Sequence, residues 1–207
     1  MKISYAITVC NELEEIKRLV PFLKQHKRPE DEVVVLFDQR NGDKEVIDYL
    51  IKFNKYPNIQ TWRGYFDNDF GAWKNALTEY CSGDYIYQID ADEMISEYVM
   101  QVLPQVLEAN DVEVLRVPRI NTVEGLTPEH IKQWHWQVNE QGWVNFPDYQ
   151  WRIYKNSANI RWVNKVHEVL TGYKTMAVLP VEQEWCLLHH KDIKRQEKQN
   201  NYYNELS

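Results

Sequence analysis

The segment ISYAITVC, Ile3 to Cys10, is almost continuously apolar over the length of one strand. The segment after it, NELEEIKRLVPFLKQH, returns apolar side chains at Leu13, Ile16, Val20 and Leu23, which is the period of a helix. Asn11 is placed to cap that helix, and the glutamates behind it suit the positive end of its dipole. Pro21 interrupts the pattern and is expected to kink or end it. The alternation then repeats. EVVVLFD reads as a buried strand, KEVIDYLIKF as a helix, NIQTWRGYF as extended, GAWKNALTEYC as a helix stopped by Ser82 and Gly83, and DYIYQID as a strand apolar on both faces. Ser96 can cap EYVMQVLPQVLEAN, and VEVLRVPRI is extended again.

Strands and helices taking turns imply an α/β fold with a mostly parallel central sheet flanked by helices on both faces. Ligands of such sheets sit at the carboxyl ends of the strands. From about Asn121 the period is lost: the chain becomes rich in tryptophan, glycine and proline, and an irregular or β-rich excursion is expected there. The polar terminal stretch HHKDIKRQEKQNNYYNEL has helical composition. One domain over 1–207 is expected, in three parts: 1–120 with the strand-helix alternation, 121–190 without it, and 191–207 as a terminal helix.

Composition narrows the function. A chain of 207 residues with 43% hydrophobic content can bury a proper core. A formal charge of -7 argues against a general nucleic-acid binder. Cys10, Cys81 and Cys186 are an odd, widely spaced set, which suggests neither a disulfide framework nor a thiolate metal site and fits a reducing, cytoplasmic compartment. The sequence shows neither a secretory leader nor an apolar run of membrane-spanning length, so contact with a membrane is expected to be peripheral at most.

Candidate chemistry concentrates in YIYQIDADEMIS, Tyr85 to Ser96, where Asp90, Asp92 and Glu93 follow a greasy strand. Crowded carboxylates repel one another and call for a cation, a proton or solvent. Asp90 and Asp92 lie at a strand end with side chains on the same side, which suits Mg²⁺ or Mn²⁺ completed by substrate phosphates. A plain acidic loop leading into the helix at Ser96 explains the same residues. Spacing alone does not decide, because Asp67-Asn68-Asp69 is a second example of the triplet.

Four stretches in order change the balance: ITVCNELEEI, DNDFGAWKNALTEYCSGDYIYQIDADE, YQWRIYKNSANIRWVNKVHEVL and CLLHHKD. Together they resemble the GT-A-fold glycosyltransferases of the family-2 type, related to lipopolysaccharide-core and protein glycosyltransferases, over most of the chain except 121–147. The resemblance implies that Thr8, Val9, Asn11, Glu12 and Asp38 hold the nucleoside, with Ala91 beside it. Lys74 stands where the family often has arginine and is expected at the diphosphate as a point charge, without bidentate geometry. Asp90 and Asp92 are implied as metal ligands, Glu93 as their support, and His189 as the third ligand, with its neighbour His190 as the alternative. His167 is expected at the diphosphate, Glu168 or Asp148 as general base, and Arg152 as the partner of an acid or a phosphate.

The implied reaction is transfer of a hexose, expected to be glucose, from a UDP-sugar to a carbohydrate, lipid-linked or protein hydroxyl, with inversion and with Mn²⁺ or Mg²⁺ as cofactor. Trp134, Trp136, Trp143 and Trp151 are expected to shape the acceptor site, although core packing accounts for any one of them equally well. Two rivals remain. A nucleotidyltransferase lacks support because no glycine-rich basic loop follows the first strand, and a binding module without turnover would hold UDP but transfer nothing.

Overall fold

A computed structural model describes residues 1–206. In chain order the strands are β1 (Ile3–Val9), β2 (Glu32–Asp38), β3 (Ile59–Gly64), β4 (Tyr85–Asp90), β5 (Glu93–Met94), β6 (Val114–Val117), β7 (Arg119–Glu124), β8 (Gln150–Lys155), β9 (Arg161–Val163), β10 (Val169–Thr171), β11 (Met176–Val178) and β12 (Leu187–Asp192). The helices are α1 (Leu13–His26), α2 (Lys44–Leu50), α3 (Phe70–Thr78), α4 (Glu97–Ala109), α5 (Pro128–Gln133) and α6 (Ile193–Leu206).

Seven strands form the main sheet in the order β11-β6-β8-β4-β1-β2-β3. All pairings are parallel except those of β8, which runs antiparallel to both β4 and β6. From β1 the chain moves outward through β2 and β3, then returns to place β4 on the other side of β1. The strand order therefore reverses between β1 and β4, where Thr8 stands opposite Asp90. Such a reversal opens a crevice at the carboxyl ends of the strands.

The core has two layers. On one face α1, α2 and α4 pack Ile16, Leu19, Val46, Leu50, Val99 and Leu103 against odd-numbered strand positions such as Tyr5, Ile7, Val35 and Ile89. On the other, α3 and β9–β10 pack Trp73, Leu77, Trp162 and Leu170 against Ala6, Val34, Leu36 and Ile86. Burial on both faces is why these strands read as continuous apolar runs.

Three local expectations need correction. Glu12, not Asn11, occupies the N-cap position of α1, and its side chain makes no bond to the first turn; its carboxylate accepts instead from the preceding backbone amides of Cys10 and Asn11 at 2.8 and 3.0 Å. Pro21 lies inside α1, which continues to His26. An interior proline costs about 3 kcal/mol, whereas the buried Ile16, Leu19, Val20 and Leu23 each contribute roughly 1.5–3 kcal/mol, so packing wins. The polar terminal stretch is not helical throughout: Leu187–Asp192 forms β12, and the helix begins at Ile193.

Candidate active site

Two small sheets complete the crevice. In the first, ordered β5-β12-β7, β12 is the middle strand, and His189 stands opposite Glu93 on one side and Asn121 on the other. Alternation turns His189 inward, 9% exposed, and leaves His190 outside beside Thr122. The second is the hairpin β9–β10, whose turn carries His167 and Glu168. This turn is pressed onto the start of α3, where the amides of Phe70 and Gly71 donate to the carbonyls of Lys165 and Asn164. A Cβ at position 71 would lie 2.6 Å from the Asn164 carbonyl oxygen, so glycine there permits the close approach. His167 is exposed and takes a left-handed backbone at φ 53°, which is costly for a residue with a side chain.

Lys74, buried on α3, pairs with Glu168 and lies 3.7 Å from Asp90 Oδ1. Arg152, 3% exposed on β8, reaches Asp90 with Nη2 and holds both oxygens of Glu93 at 2.7 and 3.0 Å. Arg119 bridges Glu93 at 2.9 Å and Asp148 at 2.7 Å. These contacts form one alternating chain of charge: Glu168, Lys74, Asp90, Arg152, Glu93, Arg119, Asp148. The two candidate bases are its two ends.

Asp92 belongs to a second group. His189 Nε2, Lys191 Nζ and Arg195 Nη2 lie 3.3, 3.5 and 3.6 Å from its Oδ2. Arg195, from α6, also pairs with Glu12 and Glu15 at the start of α1. Burial opposes ionisation of Asp92, but the His189 contact and the charges of Lys191 and Arg195 hold its pKa well below the usual carboxylate range. Asp90 is shifted the same way, with Arg152 and Lys74 outweighing burial.

These positions revise the expected ligand set. Among the described residues, no three His, Cys, Asp or Glu side chains converge on one ion. Asp90 is turned to Lys74 and Arg152, Glu93 is fully buried between two arginines, and the set reduces to Asp92 and His189. Two protein ligands plus substrate phosphates suffice for a hard divalent cation. Charge favours one: across the pairs just described, seven carboxylates face five lysine and arginine cations. Burial, with Asp92 adding to it, pushes the Glu12 pKa up, as befits a carboxylate short of countercharge.

Asp38 is only 3% exposed. Its oxygens accept from the amides of Arg40 and Phe66 and from the Asn41 side chain at 2.9, 3.2 and 2.8 Å, pinning the loops after β2 and β3. Thr8 is half-buried, Val9 and Ala91 are buried, and Asn11 is exposed, all at the β1 and β4 ends. Of the tryptophans, Trp134 and Trp136 pack together at 4.7 Å and Trp143 packs on Phe146 at 4.8 Å, within the irregular region. Trp151 is elsewhere, on β8 of the main sheet under Arg116.

Three site residues were missed in the sequence: Arg119, Lys191 and Arg195. Lys191 carried a signal, since it follows His189 by two positions on a strand and shares its face.

The fold is that of the GT-A glycosyltransferases. Residues 4–178 match the sequence model of Glycosyl transferase family 2, and the chain belongs to that family. Among solved structures, S. aureus TarS 1-349 has the same GT-A fold, at TM-score 0.65 and 15% identity over 92% of this chain. The same protein in complex with UDP-GlcNAc matches at TM-score 0.67 and 15% identity, and in complex with UDP at 0.65 and 14%. The chain spans about 60% of the length of these TarS chains.

Proposed function

We propose that this chain transfers a hexose from a UDP-sugar to a hydroxyl acceptor with inversion at the anomeric carbon. The observation that carries the reading is Asp92 facing His189 beside the β1–β4 reversal, in a family-2 chain. The UDP and UDP-GlcNAc complexes of TarS support a uridine nucleotide as donor. N-acetylglucosamine thereby joins glucose as a candidate sugar.

The nucleoside lies at the ends of β1 and β2, in a cleft shaped by the loops that Asp38 pins, and the diphosphate lies between Lys74 and Asp92. Mn²⁺ or Mg²⁺ held by Asp92 and His189 would supply countercharge to the departing diphosphate. The acceptor oxygen bonds to the anomeric carbon, the bond from that carbon to the diphosphate oxygen breaks with its electron pair leaving on UDP, and the acceptor proton goes to a carboxylate. Glu168 is that base. Asp148 is less suited, because its oxygens already accept from Arg119, Asn121 and Gln150. The half-buried Trp134 and Trp136 offer faces to a sugar acceptor. Three free cysteines support a reducing compartment. No helix among the described residues is long and apolar enough to cross a membrane, which leaves a lipid-linked acceptor to be met at the surface.

Calorimetry with UDP, in Mn²⁺ and then in chelator, tests the reading without knowledge of the acceptor. Metal-dependent binding that disappears in Asp92→Ala is the expected result. No binding in either condition would refute it.

A further inference from the structure

The side-chain amide of Asn121 carries an assignment that neither the sequence motifs nor the family match supplies. We propose that Asn121 is the positioning residue that makes His189 a cation ligand, by accepting from its Nδ1 and so leaving Nε2 as the nitrogen that faces Asp92. This rests on the reading of the crevice as a donor and cation site.

The argument starts at Asp148. Arg119 and burial surround this carboxylate, and although burial opposes ionisation, the guanidinium and hydrogen bonds of its neighbours lower its pKa, so it only accepts. The Asn121 side chain lies 2.8 Å from Asp148 Oδ2. Its NH2 must face that oxygen, since the opposite orientation would set two acceptors against each other. The amide oxygen is then the atom 2.7 Å from His189 Nδ1, and it can only accept. His189 therefore carries a proton on Nδ1.

Nε2 is then the ring nitrogen left to face the Asp92 carboxylate, 3.3 Å away. A divalent ion held between the two would take that nitrogen in place of any proton on it, and an acceptor on the far nitrogen of a ligating histidine is what orients such ligands and raises their basicity. Strand pairing makes the device rigid: Asn121 and His189 are register partners on β7 and β12, and the Asn121 carbonyl also accepts from the Val144 amide at 2.9 Å.

Two measurements test it. Nitrogen-15 NMR of the wild-type imidazoles, without metal, should show a proton on His189 Nδ1; a ring protonated on Nε2 alone overturns the proposal. Mn²⁺ titration followed by electron paramagnetic resonance should show binding that weakens about 10- to 100-fold in Asn121→Leu. The exchanged pair Asn121→Asp with Asp148→Asn, which keeps an acceptor at Nδ1 and a donor behind it, should recover most of that loss. Wild-type affinity in Asn121→Leu, no recovery in the exchanged pair, or no Mn²⁺ binding to the wild type overturns the assignment. UDP calorimetry on the same samples separates the two ideas. UDP binding by a wild type that fails these tests removes only the role of Asn121, whereas no UDP binding removes the transferase reading itself.

Discussion

Lys74 and Glu168, separated by 94 positions in the chain, close a buried ion pair at the mouth of the crevice. The Lys74 ammonium also lies 4.6 Å from the centre of the Trp162 ring, so it is held by a carboxylate, a π-face and the nearby Asp90 together. On the proposed function, a diphosphate arriving beside Lys74 would compete with Glu168 for that charge, and donor binding would release the carboxylate proposed as base.

Glu168→Gln should therefore lower the transfer rate by about 10²- to 10⁴-fold while UDP binds more tightly, since the carboxylate that competes for Lys74 is gone. Asp148→Asn should change the rate at saturating metal by less than about tenfold, its effect falling on the metal requirement instead. Steady-state kinetics with metal titration checks both. A larger rate loss in Asp148→Asn than in Glu168→Gln would exchange their roles.

Arg152 is the middle of the alternating charge chain and is 3% exposed. Arg152→Met leaves Asp90 and Glu93 without their shared partner, and stability should fall by about 3–5 kcal/mol. Urea unfolding measures this. A loss below about 1 kcal/mol would mean that the pairs behave as exposed ones do.

Stability should fall at both ends of the pH scale. Asp90, Asp92 and Asp148 have lowered pKa values in the folded state, because neighbouring cations outweigh burial. The unfolded chain takes up protons first as pH drops below about 4, so their contribution is present above that pH and lost beneath it. The thiols act in the opposite range. Burial, then nearby carboxylates, pushes Cys10 and Cys81 up from about 9 to about 12. The unfolded chain ionises them from about pH 9 while the folded chain does not, so stability declines as pH rises from 9 toward 12. Urea midpoints from pH 3 to 11 should trace both arms, and Cys10→Ala should flatten the alkaline one.

The alternation of strand and helix was legible because strands buried on both faces leave unbroken apolar runs, as EVVVLFD does on β2. The antiparallel β8 was not, because QWRIYK specifies an extended segment and not its direction. Position on a strand separated His189 from His190, whereas Asp92 lies in the turn after β4 and faces a different set of partners from Asp90. What the sequence hid was partnership. Asp90 and Glu93 look like ligands until Arg152 and Arg119 arrive from strands 62 and 26 positions away. Arg195 reaches Glu15 across 180 positions. Arginines inside the apolar contexts VPRI and QWRIY were the available sign, since a buried guanidinium needs an acid nearby. Asp38 is assigned to the nucleoside by the resemblance alone, and FDQRNGD reads equally as a turn; the loop amides that surround its carboxylate carry no side-chain signature.

The groups around Asp92 come from β12 and α6, at the far end of the chain, while Asp92 itself follows β4. During synthesis, which lays down the amino-terminal half first, the strands from β1 to β4 can pair while His189, Lys191 and Arg195 are still inside the ribosome or unmade. For that interval the nascent chain has a sheet and an Asp92 without its partners. The proposed centre is completed only when β12 and α6 dock beside it.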